Sequence, residues 1–349
     1  MDIPALRGIK IDTCITSFPE SMGQWVKNEQ ILHSKLGGNY DKILRLKGQS
    51  NDLIKSKFGY ELRYWVHNPW SEKDSSDSPT SLDLMLIVAD KALQSSEVNK
   101  EDIDLVIAVT TTSPFYTSSL STRVAHSLGL NCAAFDFKTG CASGLYALIN
   151  GYQNIATGAK NVLIVSAETL SKVINTKTNV GYAVGDASAA VILSQTEMTE
   201  RGLHIGYLGS EGKYADSFGV PGLLPPTEKS LKEQDYSMKT KIDANDTIAS
   251  AWDYIPQHLL MKTGMNKDDI DLYIPHQVSD RNIMKGANSI GLEEEKVMNV
   301  LRNYGNCGSV SVFIALEKAL ETGKLHSGAK GMLVAVGGGL SWGGAIITP

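Results

Sequence analysis

The chain has 349 residues, 42% of them hydrophobic and 20% charged, which is enough apolar material for a large core. A formal net charge of -5, with no basic run interleaved with aromatics, argues against a nucleic-acid partner. The start Met1 to Arg7 lacks a basic segment followed by an apolar one, no apolar run approaches the ~20 residues that span a bilayer, and the cysteines at 14, 132, 141 and 307 make no CxxC pair. We therefore expect a cytoplasmic protein without membrane insertion, disulfide scaffold or metal site.

In chain order, the polar run 71–79 reads as a loop and leads into a helix over 81–94, with Thr80 and Asp83 at capping-box spacing. A strand at 105–109, a helix at 119–128, a strand at 133–137 and a helix at 144–157 follow, then strands at 162–165 and 189–193. An irregular stretch over 212–237 carries Pro221, Pro225 and Pro226, and loops of that length are often functional. A helix at 247–262, a strand at 272–274, a helix at 310–322 and a strand at 332–336 complete the pattern. Alternating helices and near-continuous apolar strands define an α/β class with sheets covered on both faces.

The pattern is written twice. Asn99-Lys100-Glu101-Asp102-Ile103-Asp104-Leu105 returns as Asn266-Lys267-Asp268-Asp269-Ile270-Asp271-Leu272, 167 positions later, and Gly158-Ala159-Lys160 returns as Gly328-Ala329-Lys330 after 170. We divide the chain into similar halves, 1–198 and 199–349, packed across a pseudo-twofold axis with their helix starts together. Gly140-Cys141-Ala142-Ser143-Gly144 and Gly305-Asn306-Cys307-Gly308-Ser309 then stand at equivalent places.

Cys141 follows a strand and a turn and precedes a small-residue helix start, where free N–H groups and the helix dipole can pull a thiol well below its usual pKa of about 8.5. A buried structural thiol is the commoner fate of a free cysteine, and Cys14, Cys132 and Cys307 are left as packing residues. His276 ends the second-copy strand, at the carboxyl end where α/β sheets bind ligands. Asn306 alone would read as a turn or cap residue, and its equivalence to the Cys141 segment raises it. Gly337, Gly338 and Gly339 let backbone approach a ligand and present N–H groups, as an oxyanion hole requires; no helix follows them as a dinucleotide site would need.

Over nearly its whole length the chain resembles the ketoacyl-acyl-carrier-protein synthase III branch of the thiolase superfamily. The resemblance rests on Asp136 to Gly144 (DFKTGCASG), Val184 to Ala190 (VGDASAA), Pro275-His276-Gln277, Tyr304-Gly305-Asn306 and Gly337 to Gly343 (GGGLSWG). It implies a thiolase-like five-layered α-β-α-β-α fold, a homodimer, and a triad of Cys141, His276 and Asn306. It also implies decarboxylative condensation: an acyl thioester donor, on coenzyme A or a carrier protein, loads Cys141, with the oxyanion held by the N–H groups of Cys141 and Gly338. A malonyl-type carrier-protein thioester then condenses, with no metal or redox cofactor and pantetheine as the substrate handle. Val336, where a thiolase would carry a second cysteine, and the absence of a Glu near Thr110-Thr111-Thr112, where a hydroxymethylglutaryl-coenzyme A synthase would carry one, separate the chain from those neighbours.

Departures from the family accompany these matches. The places of the adenine-clamping Trp and Arg hold Leu53 and Thr178, and the Gly-Ile-Arg motif reads Gly59-Tyr60-Glu61. Of the basic residues that dock the carrier, Arg281 matches, while others fall on Ala249, Asn288 and Ser289. Thr117 stands where short-primer relatives place a pocket-closing Phe from the partner subunit. A specialised lipid or polyketide-like role is therefore expected. A Cys-dependent acyltransferase that passes the acyl group to an O, N or preformed C nucleophile, and a non-catalytic subunit of a synthase heterodimer, are the alternatives.

Overall fold

The computed structural model describes residues 1–36, 59–176, 181, 183–240 and 244–349. Two sheets dominate. The first has the order β3 (Ile9–Ser17), β9 (Ala187–Gln195), β8 (Asn161–Glu168), β6 (Leu105–Val109) and β7 (Ala133–Phe137). The second runs β1 (Asp2–Ile3), β10 (Gly202–Ser210), β15 (Ser341–Thr348), β14 (Gly331–Gly337) and β13 (Leu272–Pro275), with β2 (Leu6–Arg7) also on β10. Two small ribbons, β4 (Gln24–Lys27) with β5 (Leu62–Trp65) and β11 (Phe218–Gly219) with β12 (Lys239–Thr240), sit beside them.

The duplication is visible in strand direction. β6 runs parallel to β8 and β8 antiparallel to β9, as β13 runs parallel to β14 and β14 antiparallel to β15. The copies part at β7, which pairs with β6 over five residues; its counterpart beside β13 is a single parallel bridge, Tyr273 to Val297. The opening residues belong to the second sheet, where β1 and β2 pair with β10.

Side-chain alternation along the strands builds the layers. Leu105, Ile107 and Val109 of β6, with Leu272 and Ile274 of β13, face a common core with Leu145, Ile149 and Tyr152 of the helix Ser143–Ala156 and Phe313 and Leu316 of the helix Ser311–Glu321. Val106 and Ala108 turn outward onto Leu84, Met85, Val88 and Ala92, the apolar stripe of the helix Ser81–Ser95. Tyr273, Met332 and Val334 turn outward onto Trp252, Ile255 and Leu259 of the helix Asn245–Thr263. Helix, sheet, paired helices, sheet and helix give the five layers the resemblance implied. The central helix starts do meet: a Cβ on Gly144 would stand 2.2 Å from the Ser309 carbonyl oxygen.

Local signals explain most elements. The Thr80 hydroxyl accepts from the Asp83 N–H at 3.3 Å while the Asp83 carboxylate accepts from the Thr80 N–H at 2.7 Å, the expected capping box. One strand departs from expectation. β7 was expected to be covered on both faces like its neighbours, yet Ala133 and Asp136 are exposed, because β7 is the edge of its sheet. Among the described residues no helix is long and apolar enough to cross a membrane.

Candidate active site

The turn that carries Cys141 is held from three sides. Gly140 has φ +64°, a left-handed conformation natural to glycine, and a Cβ there would lie 2.5 Å from the Gly338 carbonyl oxygen. The Ser143 hydroxyl accepts from the Thr139 N–H at 2.6 Å and donates to the Gly140 carbonyl at 2.7 Å. From the second copy, the Ser341 hydroxyl donates to the Thr139 carbonyl at 2.6 Å.

The glycine run presses against this turn. A Cβ on Gly337 would stand 2.7 Å from the Cys141 amide nitrogen and 2.8 Å from that of Ala142. Gly338 is packed under Phe218 of β11, so part of the long irregular segment roofs the site. Gly339 has φ +106°, which an L side chain rarely adopts. The Gly338 and Cys141 N–H groups both act on the Cys141 sulfur and favour its thiolate. Burial outweighs them: it pushes the thiol up to about 12, and the Glu168 charge adds to the rise. The expectation of a depressed pKa is corrected here, since Cys141 lies two residues before the first helical residue, in an enclosed site beside a buried acid.

His276 follows the last residue of β13, and its N–H donates to the Val334 carbonyl of the neighbouring β14 at 2.7 Å. Its side chain is buried, neither ring nitrogen has a hydrogen-bond partner among the described residues, and burial lowers the ring to about 3. The imidazole is neutral across the physiological range. Gln277, next in the chain, braces this strand end: its amide donates to the carbonyls of Pro275 at 2.7 Å and Met298 at 3.1 Å and accepts from the Val300 N–H at 2.8 Å. Gln277 drew notice only as part of a motif, because a buried amide brace leaves no periodicity to read.

Asn306 sits after Gly305, whose φ of +68° matches that of Gly140. Its N–H donates to the Ala183 carbonyl at 2.7 Å, and its own carbonyl accepts from Gly185 at 2.9 Å, fixing the backbone. Its side-chain oxygen accepts from the Gly308 N–H at 2.9 Å, so the amide NH2 is the end left to donate. The sequence signal did not find Glu168, the acid that closes β8 and contacts both Thr111 and Ser309.

Other expected positions are peripheral. Thr117 is exposed on the protomer surface within the exposed run 113–118, as are Phe115 and Tyr116, 38% and 73% exposed; an Arg123 guanidinium lies 4.1 Å from the Phe115 ring centroid. Arg281 is exposed on the helix Asp280–Asn288. Leu53 and Thr178 lie outside the described residues. Glu61, in place of the motif's Arg, accepts from the Arg302 guanidinium at 2.8 Å.

The family 3-Oxoacyl-[acyl-carrier-protein (ACP)] synthase III matches residues 135–212, and its C terminal region matches residues 260–348. A Beta-ketoacyl-[acyl-carrier-protein] synthase III of Clostridium perfringens is 34% identical over 306 residues, covering 85% of this chain and 90% of the relative. A crystal structure of 3-oxoacyl-(acyl carrier protein) synthase III from Pseudomonas aeruginosa superposes with a TM-score of 0.82 at 24% identity, covering 98% of each chain. A priming beta-ketosynthase of a polyketide biosynthetic pathway superposes at 0.78 with 20% identity and 99% coverage of each.

Proposed function

Because the chain belongs to the 3-oxoacyl-(acyl-carrier-protein) synthase III family and is a condensing enzyme of the acyltransferase class, we propose that it works by a two-stage Cys141 mechanism. Cys141 attacks the carbonyl of an acyl thioester, and the tetrahedral oxyanion takes hydrogen bonds from the N–H groups of Cys141 and Gly338. The C–S bond of the donor breaks, its sulfur leaves as the thiol carrying the proton that Cys141 gives up, and the acyl group stays on Cys141.

A malonyl-type thioester then places its carbonyl oxygen between a His276 ring N–H and the Asn306 NH2. Loss of carbon dioxide leaves an enolate that those donors stabilise. Its carbon attacks the acyl-Cys carbonyl, the Cys141 sulfur departs and regains a proton, and a β-ketoacyl thioester is released. The chemistry is routed through no metal or redox cofactor. The observation that carries this reading is the Asn306 amide, whose oxygen accepts from the Gly308 N–H and which is thereby oriented with its NH2 as the donor end.

The pairing of Glu61 with Arg302 in the clamp motif supports a carrier-bound donor over free coenzyme A. The exposed β7 edge and the exposed run around Thr117 support a homodimer, in which Thr117 would reach the partner's acyl pocket and leave its end open. Arg281 serves as one basic contact for the carrier protein, and a cytoplasmic location completes the reading. Intact-protein mass spectrometry with a panel of acyl thioesters, followed by measurement of carbon dioxide released from a malonyl thioester, tests it. Acyl mass at Cys141 with carbon dioxide release supports condensation. Acyl mass passed to another nucleophile without carbon dioxide would replace it by plain acyl transfer.

A further inference from the structure

A carboxylate stands where the sequence offered none. No Glu occurs in the Thr110-Thr111-Thr112 stretch, yet the side chain of Glu168 reaches it from the end of β8. One carboxylate oxygen accepts from the Ser309 hydroxyl at 2.6 Å, the Thr111 N–H at 3.0 Å and the Ser309 N–H at 3.4 Å. The other accepts from the Thr111 hydroxyl at 2.7 Å, the Thr112 hydroxyl at 3.0 Å and the Thr111 N–H at 3.1 Å. All of these contacts come from donors, and the residue is fully enclosed.

The clamp joins segments that meet nowhere in sequence. On one side is the turn that opens into the exposed run 113–118. On the other is the turn after Asn306: Gly308 has φ +54°, its N–H fixes the Asn306 oxygen, and a Cβ on it would stand 3.1 Å from Glu168 Cγ. Ser309 follows directly. We propose that Glu168 is a positioning residue for condensation, its carboxylate locking the Ser309 turn to the Thr111 and Thr112 turn so that the Asn306 amide keeps its NH2 toward the site. The proposal deepens the condensing-enzyme reading and rests on it.

A second consequence is electrostatic. Burial raises the Glu168 carboxyl above its usual range against the lowering by its Ser309, Thr111 and Thr112 donors, and in its charged form it opposes thiolate formation at Cys141 and bears on buried Asp186 and Cys307. The remaining groups acting on the Cys141 sulfur are the N–H groups of Gly338 and Cys141 itself, and they favour the thiolate. Removing the carboxylate charge therefore makes Cys141 easier to ionise, while a role confined to packing would leave its titration where it was.

The test separates acylation, condensation and thiol titration in the full-length protein. In Ser309→Ala, acyl loading of Cys141 should stay within about twofold of wild type while condensation falls by about tenfold, the scale of one lost buried hydrogen bond. In Glu168→Gln, condensation should fall at least as far, and the pH profile of Cys141 alkylation by iodoacetamide should move down by about one unit as the like charge is removed. Wild-type condensation in either soluble variant, or equal loss of acylation and condensation in both, overturns the proposal. Should Glu168→Gln fail to fold, Ser309→Ala decides alone. A wild-type protein that takes no acyl group at Cys141 would instead sink the functional reading beneath it.

Discussion

The turns that lead into the two central helices share a backbone device and use it differently. Gly140 and Gly305, at φ +64° and +68°, each place the next residue at the heart of the site. In the first copy the Ser143 hydroxyl closes the turn, so the side chain of Cys141 takes no part in holding it. In the second copy the Asn306 amide closes the turn through its own oxygen, which accepts from the Gly308 N–H and turns the NH2 the other way. One scaffold thus carries the proposed nucleophile and the proposed hydrogen-bond donor, and the division follows which side chain closes the turn.

The sharpest way to break this comparison is to remove the nucleophile. Cys141→Ala should abolish acyl-enzyme formation, read as the missing mass increment, while the fold survives because alanine suits a turn that Ser143 holds. Labelling that persisted would move the nucleophile elsewhere. The second-copy turn should behave oppositely: Asn306→Ala, and His276→Ala with it, should still acylate at Cys141 but lose condensation by roughly 10²–10³, the cost of one oxyanion-type donor. A variant that condensed normally but failed to acylate would exchange the roles.

The next effect concerns donor length. On the proposal that Thr117 stands at the open end of a partner's acyl pocket, medium or longer acyl donors should outpace acetyl by well over tenfold, since each buried methylene contributes about 0.8 kcal/mol. Thr117→Phe should restore preference for short donors. Competition between donors of different length, in wild type and variant, reads this directly, and a wild-type preference for acetyl would show that another residue closes the tunnel.

A further effect is on stability against acid. Burial lowers His276 to about 3, so below about pH 6.5 the unfolded chain takes up a proton that the native chain refuses. Stability is lost as pH falls from about 6.5 toward 3. Relative to His276→Gln, the wild type should lose about 1.4 kcal/mol per pH unit in that window, measured by urea unfolding. The difference isolates His276 from buried Asp186, whose raised pKa of about 7 acts in the opposite sense. A gap that does not change with pH would mean the ring is hydrated.

Much of this was legible before the fold. Strands with continuous apolar runs, such as Leu105–Val109 and Gly331–Gly337, were found because burial on both faces leaves an unmistakable composition. The repeat at 99–105 and 266–272 placed the two turns as equivalents. Strands β10 and β15 were not read, because Gly202, Gly206 and Gly209 in one and Gly343 and Gly344 in the other interrupt the apolar pattern while leaving the antiparallel ladder intact. The exposure of β7 was invisible because Ala133, Phe135 and Phe137 look the same at an edge as at a centre. Glu168 escaped because its partners, Thr111 and Ser309, lie 57 and 141 residues away, and only the packing of the two halves brings them to it.

The single bridge between Tyr273 and Val297 has a consequence for stoichiometry. Only the first copy extends that side of its sheet into a full strand, so the duplication does not give the molecule matching ladders at both places. In the homodimer proposed above, pairing of β7 with β7 of a second copy about a twofold axis would cover that edge, and the same-position bridge in the other half offers no strand length for a matching contact. The repeat is thus asymmetric at that position, with a full edge strand in one half and one bridge in the other.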